Sequence, residues 1–307
     1  MSKTNYAVDE LRYEHFYPNG DLLREIKEQA KIKEIPQKVK QVMGEFILPS
    51  PPENRPYTFG CMVLSMDGKM AFHDDQEGHL ISQENRYDPR GGLTDFWIMN
   101  VSRAYADGVI LGSGTMQVRA TKKWFAEVKD KELIEARLKV LNKQTEQPWS
   151  IIATLDGTDL PLEHQIFDLN QKVGIITSPW GVEYLSKRLD REFVVVNEGD
   201  DLRQDFSKIK IITAGEGKNP DTKKIMEILR KGGIEYLGVE APSYIWHLMS
   251  EKMLDEFLLN YSGVYVGGEH ILGKQIPYST KYHPHCALLS VGFHKGFIFT
   301  RQKVIYS

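Results

Sequence analysis

The run YTFGCMVLSM, Tyr57 to Met66, is apolar at almost every position and leads directly into Asp67-Gly68. A strand with one solvated face alternates apolar and polar residues, whereas a strand covered on both faces reads as a continuous apolar run. This stretch therefore predicts a central strand of a sheet flanked by helices on both sides, ending at a tight Asp-Gly turn. A similar unit follows. FWIMNVSRAYADGVILGSGT predicts a helix capped by Thr94 or Asp95, with Phe96, Trp97, Val101 and Ala104 on one apolar face, then a strand from Gly108 to Leu111 that runs into a Gly112-Ser113-Gly114-Thr115 loop. Ligands of open α/β sheets bind at the carboxyl ends of the strands. Asp67-Gly68 and Gly112 to Thr115 are accordingly expected to form the floor of one site.

Short β-branched runs bounded by turn residues predict further strands at 150–154, 173–177, 193–196 and 208–213. DTKKIMEILRKGG reads as a helix closed by a glycine pair, and GIEYLGVEAPSYIWHLMSEKML as strand, tight turn and helix. A charged helical segment is expected over 122–147, with KDKELIEARLK as a solvated face. Alternating strands and helices imply crossover connections and a mainly parallel sheet. Beyond Asp255 strands follow one another without helices, and His294-Lys295-Gly296 marks a hairpin turn. The fold expected is a three-layer α/β structure with a mixed, mostly parallel sheet and a C-terminal antiparallel hairpin. Residues 1–54 stand apart as a helical N-terminal extension: DLLREIKEQAKIKEI has helical spacing, and SPPENRP then breaks the chain. Residues 55–307 are expected to form the main domain and to fold without that extension.

A net charge of -3 over 307 residues lacks the basic excess that nucleic acid or a membrane surface calls for. The apolar runs fall short of the roughly 18 to 20 residues that span a bilayer, and MSKTNYAVDELRYEH carries charges where a secretory signal needs an apolar core. A cytoplasmic location is expected. Cys61 and Cys286 form no disulfide framework, and Cys61 reads as a small core residue. His283, His285 and Cys286 in HPHC lack a second ligand group at zinc-like spacing, so no metal is expected there and the segment reads as a solvated loop. The His-x-Glu and Pro-Cys-x-x-Cys signature of zinc nucleotide deaminases is absent.

SMDGK (Ser65 to Lys69), GSGT (Gly112 to Thr115), GIEYLGVEAPSYIWHLM and MLDEFLLNYSGVYVGGE, in this order and spacing, resemble the reductase domain of the riboflavin-biosynthesis deaminase-reductases. The resemblance covers roughly the last four-fifths of the chain. It implies a dihydrofolate-reductase-like fold and an NADPH-dependent oxidoreductase, commonly dimeric, that reduces a ribosylamino-pyrimidine phosphate. It further implies cofactor contacts at Gly112, Gly114 and Thr115, a substrate contact at Arg103, which stands twelve positions before Thr115, and another at Glu240.

The chain also departs from that family. Its VEGG turn is here Val239-Glu240-Ala241-Pro242, so phosphate binding falls to the backbone at Ala241 and to Ser243 at a helix N-terminus, with Pro242 contributing no N-H. The family's ESxW-like segment aligns with Gly78 and Leu80 and is lost. Its DPxLTVR-like segment is replaced by MQVRATKKWFAEV, with Arg119, Lys122 and Lys123 as the basic groups nearby. Hydride transfer to an imine or carbonyl carbon needs an aligned nicotinamide and a group that manages the compensating proton. Asp67 and Glu240 are the catalytic candidates, and Arg103 the holder of an anionic or carbonyl group. The expected partner is a small heterocycle, in a homodimer. The alternative is a nucleotide-binding regulatory protein of the same fold without turnover.

Overall fold

The computed structural model describes residues 6–118, 125–167, 172–203, 205–274 and 276–306. Strand β1 (Glu14–Pro18) precedes helices α1 (Gly20–Gln29) and α2 (Gln37–Met43). Then come β2 (Tyr57–Ser65), α3 (Leu80–Gln83), α4 (Pro89–Tyr105), β3 (Gly108–Gly112), α5 (Ser113–Val118), α6 (Lys131–Lys139) and β4 (Trp149–Ala153). Next are β5 (Val173–Thr177), α7 (Pro179–Ser186), β6 (Phe193–Val196), β7 (Ile209–Thr213), the two-residue strands β8 (Gly215–Glu216) and β9 (Asn219–Pro220), and α8 (Thr222–Lys231). The chain closes with β10 (Tyr236–Val239), α9 (Pro242–Ser250), β11 (Glu256–Ser262), β12 (His285–His294) and β13 (Phe297–Ile305).

One sheet runs β1-β12-β13-β11-β2-β10-β3-β4-β5-β7-β6. From β11 to β6 all neighbours are parallel, and β13, β12 and β1 add antiparallel pairs at one end. The apolar run at Tyr57 is indeed internal, between β11 and β10. Alternation sends Tyr57, Phe59 and Cys61 with Tyr236 and Val109 to the face packed by Trp97, Val101 and Ala104 of α4. Leu64, Leu237, Val239 and Ile110 go to the other face, against Ile245 and Leu248 of α9 and Met226 and Leu229 of α8. Sheet plus two helical covers gives the three layers. No helix among the described residues is long and apolar enough to cross a membrane.

Three local expectations change. The helix carrying Trp97 starts at Pro89, and its cap is Asp88, which accepts from Gly91 N at 2.9 Å. Gly91-Gly92 resembles a breaker but lies in the first turn because the turn packs too closely for a side chain: a Cβ on Gly91 would collide with Phe297, and one on Gly92 would lie 2.9 Å from Ser82 O. Asp95 is inside the helix, buried, and bonded by Ser82 Oγ at 2.5 Å and Asn260 Nδ2 at 2.7 Å. Secondly, within 125–147 only Lys131–Lys139 is helical, and residues 119–124, with Arg119, Lys122 and Lys123, lie outside the described ones. Its Arg137 is no solvated charge: it is buried and donates to Arg103 O, Ala104 O, Ala106 O and Thr145 O, satisfying the free carbonyls at the end of α4. Thirdly, His285 and Cys286 open strand β12, and both are exposed.

Within 1–54, α1 and α2 are joined by a strand that periodicity did not reveal: all five residues of β1 are exposed, and they pair with β12. Val39, Val42, Met43, Phe46 and Leu48 enter the cluster that contains Trp97 and Phe299. Backbone carbonyls of this segment accept from Tyr105 Oη (Phe46 O, 2.9 Å), Tyr236 Oη (Pro49 O, 3.1 Å) and Arg301 Nη2 (Ile47 O, 2.6 Å).

Candidate functional site

Three strand ends at the carboxyl edge position the residues expected to act. At the end of β2, Gly68 at φ 77 allows the turn that returns Lys69 O to Ser65 N at 2.9 Å. Asp67 is exposed; it accepts from Ser65 Oγ (2.6 Å), Val266 N (3.0 Å) and Gly267 N (2.7 Å). The Ser65 hydroxyl above all, joined by those amides, outweighs the burial penalty and holds its carboxyl down at about 2. A carboxylate so held fastens the loop after β11 to the end of β2 and accepts hydrogen bonds; it carries no proton to donate near neutral pH.

At the end of β10, Glu240 meets Arg103 from the last turn of α4. Arg103 Nε donates to Oε1 and Nη2 to Oε2, each at 2.7 Å, and Nη1 donates to Glu127 O at 3.0 Å. The side chains are 5% and 9% exposed. Burial works against the guanidinium charge, but the charge and hydrogen bonds of Glu240 outweigh it and raise the Arg103 pKa. A planar, bidentate pair of this kind fixes orientation as well as charge. Arg103 and Glu240 are thus brought together as the sequence suggested, though every nitrogen of Arg103 is already engaged. Beside them, burial, then Glu240 and Asp95, push the Cys61 thiol far up, which keeps it an inert core residue.

At the end of β3 the expected Gly-Thr loop is instead the start of α5. Gly112 closes the strand, and Gly114 is exposed with no heavy atom within 4 Å of where a Cβ would stand, so a ligand can approach its backbone. Ser113 Oγ donates to Asp159 Oδ2. The side chain of Thr115 lies outside the described residues.

Helix α9 begins beside these ends. Ala241 is its N-cap, buried, at φ -93; Pro242 takes the first position; no side chain caps the terminus; and Ser243 is exposed. This terminus opens on a cleft of about 520 Å³, within the range of small-molecule sites. Met70, His73, Ser243, Trp246 and the 268–274 loop line it, together with Ile276. Trp246 Nε1 donates to Ile276 O at 2.6 Å, Met70 N to His270 O at 2.9 Å, and Lys69 bridges to Ile271. Gly273, at φ 79, passes so close to the Trp246 ring that a Cβ would collide with it. The cleft faces α9, while Arg103 and Glu240 lie on the α4 face; of the residues singled out from sequence, Pro242 and Ser243 line it. Met70, Trp246 and the 268–274 loop were not legible as site residues, although Gly267-Gly268, at φ 71 and 74, gave a turn signal. Among the described residues there is no group of three or more His, Cys, Asp or Glu side chains placed to hold a metal.

This sheet, with helices on both faces, antiparallel C-terminal strands and a cleft at its carboxyl edge, defines a three-layer α/β protein with a mixed, mostly parallel sheet. Residues 56–291 match the RibD C-terminal domain, and the chain belongs to that family, the reductase domain of the riboflavin-biosynthesis deaminase-reductases. No curated protein sequence matches it significantly. Among solved structures it is similar to a pyrimidine reductase-like protein from Corynebacterium diphtheriae, at 17% identity and a TM-score of 0.58, over 87% of this chain and 98% of that one. It is also similar to a diaminohydroxyphosphoribosylaminopyrimidine deaminase/5-amino-6-(5-phosphoribosylamino)uracil reductase from Thermotoga maritima, at 15% identity and a TM-score of 0.57, over 92% of this chain and 62% of that one. RibD from Acinetobacter baumannii matches at 17% identity and a TM-score of 0.53, over 82% of this chain and 58% of that one. At these identities the likeness is one of fold.

Proposed function

We propose that the protein is an NADPH-dependent oxidoreductase that reduces an imine or carbonyl carbon of a small heterocycle at the carboxyl edge of the sheet. Family membership supports the reductase class. The observation that carries the cofactor reading is the uncapped N-terminus of α9 opening on a cleft of about 520 Å³. Free N-H groups and the positive end of a helix suit a phosphate. Ser243 adds a hydroxyl, Ala241 sets the backbone at the cap, and Gly112 and Gly114 leave room for close approach from the β3 side. The nicotinamide supplies the hydride. Arg103 acts as a positioning residue that holds Glu240 at the strand end, and Glu240 orients the heterocycle through the acceptor capacity its carboxylate keeps. Asp67, ionised, shapes the turn and contributes charge rather than a proton. A homodimer in the cytoplasm, acting on a small molecule, completes the proposal on the strength of the family resemblance.

Calorimetric titration with NADPH and NADH tests this. The wild type should bind NADPH, and Ser243→Asp, which sets a carboxylate where the phosphate would lie, should bind at least about tenfold more weakly, an energy of about 1.4 kcal/mol. Failure of the wild type to bind either nucleotide would overturn the cofactor reading, whereas binding without turnover of any heterocycle would favour the regulatory one. The Thermotoga relative is named for a phosphoribosylamino-uracil substrate. The DPxLTVR-like motif is replaced by a segment in which Arg119, Lys122 and Lys123 are the basic groups, and lysines do not reproduce the bidentate grip of an arginine on phosphate; we therefore place another imine or carbonyl heterocycle ahead of the ribosylamino-pyrimidine phosphate. Steady-state NADPH oxidation with both classes decides. Turnover of the pyrimidine phosphate at roughly 10⁴ M⁻¹s⁻¹ or more would reverse that order.

A further inference from the structure

The opposite, amino-terminal edge of the sheet holds a second cavity of about 580 Å³, beneath the starts of β10 and β4 and bounded by the end of α8 and the 141–145 segment. Among the described residues, seven cationic side chains line it against two carboxylates, Asp107 and Glu235. Four of the cations are answered. Lys143 pairs with Asp107 at 2.8 Å, Lys31 with Glu235 at 3.1 Å, Arg203 with Asp201 at 2.8 Å, and Lys231 with Glu198. The remainder is compensated only in part, Arg230 by a long contact to Glu235 that Lys31 shares and Arg137 by the charge of Asp107. Arg137, buried, is held only by carbonyl oxygens. Arg230 donates to Pro52 O at 3.0 Å and stays 3.9 Å from Glu235. Lys172 has no carboxylate partner among the described residues, and its ammonium sits 4.6 Å from the centre of the Phe206 ring. Burial, and then the charge of Arg137, bring the Lys172 pKa down to about 8, as expected of a cation facing another without an anion between them. The wall opposite is aromatic: Trp149 and Phe206 meet edge to face at 5.7 Å, and Tyr236 lies under Lys143.

Cations gathered in a cavity with low-dielectric walls attract a compact polyanion far more strongly than the same charges on an open surface. Arginine and lysine together suit phosphate, the former through its planar fork and the latter as a point charge. We propose that this amino-edge cavity is a binding site for a small phosphorylated anion, held between Lys172, Arg137 and Arg230, and distinct from the cleft at the carboxyl edge. The proposal does not depend on the cofactor reading.

Inorganic pyrophosphate is the probe, titrated calorimetrically into the full chain at low ionic strength. The wild type should bind it, with affinity falling as salt is added, and Ser243→Asp should retain a site that Lys172→Glu loses. Lys172→Glu should bind at least tenfold more weakly while its thermal transition stays within a degree or two of the wild type, because Lys172 makes no ion pair that the substitution breaks. Arg230→Gln, measured in parallel, should weaken binding without abolishing it. Absence of binding by the wild type, equal binding by Lys172→Glu, or loss of binding in Ser243→Asp comparable to that in Lys172→Glu would each overturn the proposal.

Discussion

Arg103 and Arg301 each donate through Nε and Nη2 to a single buried glutamate, at 2.7 and 2.7 Å to Glu240 and at 2.7 and 2.8 Å to Glu256. Their surroundings differ. Glu256 lies at the start of β11, 1% exposed, and also takes the Tyr57 hydroxyl at 2.7 Å; Arg301 lies 4.6 Å from the centre of the Phe46 ring and donates to Ile47 O. Glu240 stands at a strand end at the carboxyl edge, and among the described residues its carboxylate is bonded by Arg103 alone. Enclosed in the core, where Arg301 Nη1 finds no hydrogen-bond partner among the described residues, the Arg301–Glu256 pair ties the N-terminal segment to the sheet. The Arg103–Glu240 pair holds a carboxylate in one orientation with acceptor capacity left over. A shared interaction thus serves architecture where it is enclosed and is available for recognition where it reaches the edge.

The strongest way to break this comparison is to remove residues 1–54. The sequence alone expects the remainder to stay cooperative, but truncation would strip Phe46, Leu48, Val39, Val42 and Met43 from the core and leave Arg301, Tyr105 and Tyr236 without their carbonyl partners. Each large apolar side chain lost costs about 1.5 to 3 kcal/mol. We expect an insoluble protein or one without a thermal transition; a soluble chain with a sharp transition would show that the extension is dispensable.

Glu256→Leu ranks next. An unpaired Arg301 in the core should cost about 3 to 5 kcal/mol by denaturant titration, and the double variant with Arg301→Met should recover much of it. Glu240→Gln sharpens the contrast. Its amide keeps the shape and part of the hydrogen bonding, so stability should fall by only about 1 to 3 kcal/mol, while kcat/KM on any accepted substrate should fall more than tenfold. If Glu240→Gln leaves kcat/KM unchanged, the pair at the edge is architectural like the other.

Asp67→Asn should have the smallest effect, visible chiefly in its pH dependence. The folded-state carboxyl is held at about 2, below the ordinary value near 3.9. Its stabilisation is therefore complete above about pH 4 and is lost as pH falls toward 2. Melting temperatures of wild type and variant should differ modestly at neutral pH and converge on acidification; a gap that widens toward low pH would mean that Asp67 is not anchored by Ser65 and the 266–267 amides.

The apolar run at Tyr57, the alternation of strands and helices, and the helix-free C-terminal region carried the layer order and sheet direction, because strand burial and crossover geometry leave a periodic trace in a single chain. Arg103 and Glu240 were each singled out through the family resemblance; their mutual bond was not legible, since it joins residues 137 positions apart. Asp88 as the cap of α4 escaped because the glycines after it signal a turn until Phe297 and Ser82 are seen to demand them. Arg137 looked like a solvated helix charge because nothing local records that α4 ends against it. Trp246 and the 268–274 loop became walls of a cleft only through contacts between distant segments. Local sequence thus determined which stretches form strands and helices and that their polar endings share one edge of the sheet, whereas the tertiary structure decided which charges are buried and paired and where the cavities open. Burial and electrostatic pairing depend on what comes to lie opposite each residue, and that is settled by the packing of the whole chain.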